Sequence, residues 1–176
     1  MKLTKRDFYY FLGLLIFILI LYIQPFRMVI IKGISMEPTL TKNQILFMHK
    51  NREVKKNDIV VIDPPESWTR DSTVFIKRLV AINGDIVEIK NNGFYVNGKL
   101  IKSLKGVKSS SKQYQLKNDE IFVLGDNFPR SSDSLSHWIN GNKEFVLKKS
   151  DIKFSKDILL ETSQSKNKAT KNEVTK

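Results

Sequence analysis

Ser35 stands in the run Gly33-Ile34-Ser35-Met36-Glu37-Pro38-Thr39-Leu40, with a glycine two residues before it and a proline three residues after. Gly33 permits tight or close-approach backbone, while Pro38 fixes its own φ and directs Glu37 toward an extended conformation. A serine held this way presents its hydroxyl in one orientation, as a nucleophile must; the same residues also suit an ordinary turn. The second informative residue is Lys77. Period-2 alternation from Val74 to Ile82 puts Phe75, Lys77, Leu79 and Ala81 on one face and Val74, Ile76, Arg78 and Val80 on the other. Most lysines are solvated, and on an edge strand they discourage aggregation. That role calls for polar neighbours, and Lys77 has apolar ones. Desolvation lowers a lysine pKa by up to about 3–5 units, and the resulting neutral amine can take a proton from a serine hydroxyl. The two histidines, His49 among lysines and His137 in a polar loop, leave a Ser-His-Asp triad as a weaker alternative. The chain has no cysteine, which excludes disulfides, thiolate zinc sites and a cysteine nucleophile. No zinc-ligand spacing occurs, and neither metal nor cofactor is expected.

The elements that must position these residues begin with Phe8 to Ile23, an uncharged apolar run. Its sixteen residues give about 24 Å of helix, slightly less than a ~30 Å hydrocarbon core. Tyr9, Tyr10 and Tyr22 lie toward its ends, where such rings favour the interface, and Met28 to Ile31 could extend it past Pro25. A cleaved secretory signal is the rival, given Lys2, Lys5 and Arg6, but Gln24-Pro25-Phe26 is no small-residue cleavage site. We therefore expect an uncleaved anchor over residues 8–27, with 1–7 in the cytoplasm and residues 28–162 outside as the catalytic domain.

That domain reads as β. Short β-rich runs occur at Gln44–Met48, Asp58–Ile62, Thr73–Ile82, Asp85–Lys90, Phe94–Val96, Leu100–Ile101 and Glu120–Leu124, with one or two last strands in Glu144–Leu147 and Asp151–Leu160. Three Asn-Gly pairs, at 83–84, 92–93 and 97–98, suit tight hairpin turns. Ser103 to Lys117 is polar and predicts a mobile loop, and residues 163–176 predict a disordered basic tail. The expected fold class is mainly β: one transmembrane helix, then a compact, mostly antiparallel β domain. The net charge of +12, from 30 Lys and Arg against 18 Asp and Glu, is scattered and lacks an aromatic-basic pattern. It favours an anionic lipid surface over nucleic acid.

Three stretches resemble the conserved boxes of bacterial type I signal peptidases: Ser35-Met36-Glu37-Pro38-Thr39, Phe75 through Asp85, and Gly125-Asp126-Asn127 through Ser131, Asp133 and Ser134. Asn57–Val61 and Tyr95–Lys99 also fit that framework, so the resemblance covers roughly residues 8 to 160. It implies a membrane-bound serine endopeptidase that uses a Ser/Lys dyad and an acyl-enzyme. Such an enzyme removes signal peptides after a small-x-small sequence as preproteins leave the translocation channel. By position, Ser35 resembles the nucleophile and Lys77 the general base. Ser131 resembles the serine that orients the lysine, Asp133 the acid that pairs with Arg78, and Gly125 the glycine against the catalytic pocket. The oxyanion hole would use the Ser35 N–H. The hydroxyl that some relatives add two residues earlier is absent, because Gly33 stands there. Phe128 and Leu135 occupy positions where the family usually has arginine, so Asp133 would lose one partner; Arg130 lies nearby.

The substrate is expected to lie extended between the stretch before Ser35 and the strand of Lys77, contacting Ile34, Met36, Phe75 and Ile76. Two other readings are a specialised relative that trims a dedicated pilin or conjugation-system substrate, and an inactive anchored homologue that binds exported subunits.

Overall fold

The computed structural model describes residues 5–23, 26–50, 53–69, 74–107 and 110–156. The basic tail and the Gln24-Pro25 pair lie outside these residues. Helix α1 spans Lys5–Ile23, and its large apolar side chains from Phe8 to Leu19 are exposed. Among the described residues, no helix is long and apolar enough to cross a membrane. Phe26 and Arg27, read above as the end of the anchor, instead open strand β1, Phe26–Ile30. Alternating burial explains the difference. Met28 and Ile30 are exposed, while Val29 packs on the core beneath β2, Ile45–His49.

Two sheets follow, and every described pairing is antiparallel. The larger takes in β3 (Ile59–Ile62), β4 (Phe75–Ala81), β9 (Glu120–Leu124), β10 (Leu147–Lys148) and β11 (Ile152–Lys156), in the order β1-β2-β11-β3-β4-β9-β10. The smaller takes β5 (Ile86–Lys90), β6 (Gly93–Val96), β7 (Lys99–Ser103) and β8 (Lys112–Gln115), in the order β7-β6-β5-β8. Strand β8 lies inside the stretch expected to be a loop. Its Tyr114 packs against the core and its hydroxyl donates to Glu120, which ties the polar segment down.

Only one Asn-Gly pair is the expected turn. Asn97 and Gly98 both have positive φ (50° and 77°), between paired Val96 and Lys99. At the second pair the turn residues are Asn91 and Asn92, with φ of 49° and 55°, and Gly93 already belongs to β6. A Cβ on Gly93 would lie 2.8 Å from Leu100 Cδ1, so this glycine serves packing and not the turn. Asn83-Gly84 links β4 of one sheet to β5 of the other and closes no hairpin.

Three apolar clusters hold the domain. Val80, Ala81, Phe122 and Leu124 of the larger sheet meet Val87, Ile89, Phe94 and Val96 of the smaller. A short helix α2, Ser134–Ile139, covers this junction with Leu135 and Trp138. A second cluster joins Ile31, Met36 and Leu40 to β2 and β3, beneath the Ser35 turn. The third lies around Leu79, Val60 and Trp68. Strands β3 and β9, on either side of Lys77, both enter this third cluster through Val60, Ile62, Ile121 and Val123.

Candidate active site

The Ser35 segment is a compact turn pinned by its own apolar residues. Met36 and Leu40 are fully buried, Leu40 N–H donates to Met36 C=O at 2.9 Å, and Glu37 N–H donates to Ile34 C=O at 3.2 Å. The Glu37–Pro38 peptide is cis. Burying residues 36 and 40 leaves Ser35 at the lip, beside the middle of β4. A Cβ at Gly33 would meet nothing within 4 Å and its φ is not positive, so the close approach expected there is not made.

From β4, Lys77 Nζ reaches Ser35 Oγ at 2.9 Å. Only 3% of Lys77 is exposed, and its nitrogen lies 5.1 Å from the centre of the Phe75 ring. Burial lowers its pKa from 10.5 to about 8, against the opposing negative charge of Asp133. The pair therefore combines a hydroxyl with an amine that is partly neutral near physiological pH.

The chain after β9 closes on the serine from the other side. Asn127 N–H donates to the Ser35 carbonyl at 2.9 Å, and Asn127 Nδ2 donates to the Ile34 carbonyl at 3.2 Å. Asn127 thus holds the serine turn by its backbone, a role the sequence reading did not give it. Gly125 lies in contact with both chains: a Cβ there would come within 2.6 Å of the Ser35 carbonyl oxygen and of Ser131 Cβ. Asp133 is fully buried and caps α2, with Oδ1 accepting from Ser136 N–H at 3.0 Å and Oδ2 accepting from Gly125 N–H at 2.9 Å.

Two expected contacts are replaced. Arg78 pairs with Asp126, not with Asp133: Nε and Nη2 reach the two carboxylate oxygens at 2.8 and 2.6 Å, and Nη1 donates to the Asn57 carbonyl. Asp133 is already occupied by two backbone N–H groups, so it needs no arginine, and Arg130 is exposed. The Ser131 hydroxyl is buried but makes no hydrogen bond among the described residues, so the expected bond to Lys77 is not formed. His137 is not in a loop. It sits on α2, stacked on Trp68 with 4.6 Å between ring centres, while His49 lines a separate hollow with Glu53 and Lys153.

Ser35 and Lys77 open into a cleft of about 630 Å³ that is mostly apolar. Ile34, Met36, Phe75 and Ile76 all line it, with Arg130 and Ser132 at another wall. No three His, Asp or Glu among the described residues come together to hold a metal ion.

The family model described as "Signal peptidase, peptidase S26" matches residues 5–152. The chain belongs to this signal peptidase family. It is similar to Signal peptidase I P of Bacillus subtilis subsp. natto, 31% identical over 145 residues that cover 69% of this chain and 76% of that protein. Signal peptidase I of Bacillus licheniformis is 34% identical over 126 residues, covering 62% of this chain and 66% of the relative. A solved signal peptidase I from Enterococcus faecalis V583 superposes with a TM-score of 0.43 at 21% identity, over 60% of this chain and 98% of that one.

Within this signal peptidase family member, the positions expected to carry arginine are apolar by design of the core. Leu135 is fully buried and Phe128 packs on the same cluster. The remaining charge bracing falls to Arg78 and Asp126. Burial alone would raise the Asp126 pKa. Hydrogen bonds from Arg78 and Thr39, with the charges of Arg78 and Lys102, outweigh it and hold the carboxyl below its usual value. The carboxylate therefore contributes stability that is present above the unfolded-state pKa and lost as pH falls through the folded one. Asp126→Asn should cost about 2 kcal/mol in denaturant unfolding at neutral pH, and the gap from wild type should shrink in acid.

Proposed function

We propose that the protein is a membrane-anchored serine endopeptidase that removes signal peptides from secreted preproteins by a Ser35/Lys77 dyad. The observation that carries this reading is the 2.9 Å contact between a buried lysine nitrogen and a serine hydroxyl at the mouth of an apolar cleft. Neutral Lys77 takes the Ser35 proton as Oγ attacks the scissile carbonyl. The resulting ammonium gives that proton to the departing amine of the mature protein, leaving an acyl-enzyme. Lysine, neutral again, then removes a proton from water as its oxygen attacks the ester, and returns that proton to the departing Ser35 Oγ, which frees the signal peptide and restores the dyad. The Ser35 N–H donates to the oxyanion, and the Ser131 hydroxyl, buried and without a hydrogen-bond partner among the described residues, is available to steady the lysine. Apolar walls from Ile34, Met36, Phe75 and Ile76 suit small side chains on an extended peptide. Helix α1, apolar and exposed from Phe8 to Leu19, is the segment that meets the bilayer, with its amino end cytoplasmic and the β domain outside.

The test is to incubate the membrane-inserted protein with a panel of secretory precursors and map the cut bonds. Cleavage after small-x-small sites in unrelated precursors supports a general processing enzyme. Absence of cutting in every precursor overturns the reading. The pH profile carries a separate expectation. Because the lysine must be neutral, kcat/KM should rise tenfold per pH unit below about 8 and level off above it. A profile that is flat from pH 6 to 9 would exclude Lys77 as the base (roughly the window that a group titrating near 8 must dominate).

A further inference from the structure

Ser132 lines the same cleft as Ser35 and Lys77, and the direction of its proton is set from behind. Its Oγ lies 2.9 Å from His137 Nε2. The other ring nitrogen, Nδ1, lies 3.2 Å from Asn142 Nδ2. The orientation of that amide is not free, because Asn142 Oδ1 accepts the Glu144 backbone N–H at 2.9 Å. An amide NH2 only donates, so His137 Nδ1 must accept and the ring proton sits on Nε2. Nε2–H then donates to Ser132 Oγ. The serine's own proton has no role toward the histidine.

The ring is fixed in place by its stack on Trp68, whose Nε1–H donates to the Glu144 carbonyl at 2.6 Å. The groups facing it are Trp68, Asn142, Ser132 and the nearby Asp133. Burial lowers the pKa of His137 and the charge of Asp133 raises it, with the net shift downward, so the neutral ring predominates at neutral pH.

We propose that Ser132 is a substrate-binding residue, its hydroxyl proton directed into the cleft to donate to a main-chain carbonyl of the bound peptide, with His137 and Asn142 as positioning residues that fix this polarity. A peptide laid out as a strand presents carbonyls to a wall donor of this kind, so the contact is independent of side-chain sequence. The inference rests on the peptidase reading of the cleft and adds to it a residue outside the dyad.

The experiment uses the full-length protein in membranes, assayed above the histidine's titration range. Ser132→Ala should lower kcat/KM about fivefold, mostly through KM, as expected for one ground-state hydrogen bond. Asn142→Asp is nearly isosteric and lies behind the ring. Its carboxylate can only accept, so the ring proton moves to Nδ1, Nε2 accepts from Ser132, and the hydroxyl turns away from the cleft. This variant should show the same loss, and the double variant Ser132→Ala/Asn142→Asp no further loss. Nitrogen-15 NMR of labelled histidine reads the tautomer without reference to activity: Nε2–H in wild type and Nδ1–H in Asn142→Asp. A wild-type ring protonated on Nδ1, or full activity of Ser132→Ala beside an active wild type, overturns the proposal. An inactive wild type overturns the peptidase reading, and with it any substrate role for Ser132.

Discussion

Ser35→Ala and Lys77→Met will each leave a secretory precursor uncut, a fall of ~10³-fold or more in kcat/KM, and the double variant will be no worse than either single one. On the proposed mechanism the two groups, 2.9 Å apart, act as one unit, so removing either partner removes the attack. A time course of precursor processing by gel or mass spectrometry measures it, and cleavage retained by either variant would refute the dyad. The lysine variant carries a second signature of opposite sign. The folded state lowers the lysine pKa from 10.5 to about 8, so between those values the unfolded chain binds more protons than the folded one. Wild-type stability therefore rises with pH across that window, and below it the full penalty of about 3 kcal/mol remains. Methionine fills similar space without the charge. Lys77→Met should melt several degrees above wild type at neutral pH, and the difference should narrow as pH climbs past 8. Loss of activity together with a gain in stability is the mark of a residue retained for chemistry.

Gly125→Ala should be almost as damaging, although it adds one methyl group. That methyl would stand 2.6 Å from the Ser35 carbonyl oxygen and from Ser131 Cβ, and closer still to the Ser131 hydroxyl. The Ser131 hydroxyl can turn, but the Ser131 Cβ and the Ser35 carbonyl are fixed by the backbone and cannot swing aside. The Ser35 turn must retreat, breaking the bond from Asn127 N–H to the Ser35 carbonyl. A displacement approaching 1 Å in such a site costs about 10²-fold in rate. Measured kcat/KM should fall by about that factor. Gly33→Ala, where an added Cβ meets nothing within 4 Å, should fold normally and serves as a control for folding alone. Wild-type activity in Gly125→Ala would mean that the approach of Gly125 to Ser35 does not matter.

What could be read from the sequence was local. The burial of Lys77 followed from alternation along one strand, because a period-2 pattern reports which face each side chain takes. Strand β5 was legible for the same reason, whereas β3 and β9, buried along almost their whole length, showed as short unbroken apolar runs. Strand β1 was not legible, since its apolar residues follow an apolar run in sequence with only one proline, Pro25, between the two. Helix α2 is six residues long, too short for a helical period to declare itself, and its signal was the cap Asp133 with Ser136 three residues on. The misassigned arginine partner has another cause. Arg78 and Asp126 are 48 residues apart, and Asp133 is more remote still, so only the packed sheet decides between two aspartates. Likewise, nothing local shows that Asn127 would hold the carbonyls of Ile34 and Ser35, 93 residues from the first of them.

The apolar seat of Leu135 and Phe128 changes what the surroundings can do to the site. A support made of ion pairs weakens as added electrolyte shortens the Debye length, from about 10 Å at 0.1 M to about 3 Å at 1 M. Here the helix that presents Asp133 to Gly125 is held by Leu135 and Trp138 in a dry cluster, and by Ser134 Oγ accepting the Val123 N–H at 3.1 Å. Neither contact carries a net charge. Concentrated salt, which strengthens apolar association if it acts on it at all, leaves this side of the catalytic framework standing. Salt sensitivity is thereby confined to the other side, where Arg78 pairs with Asp126.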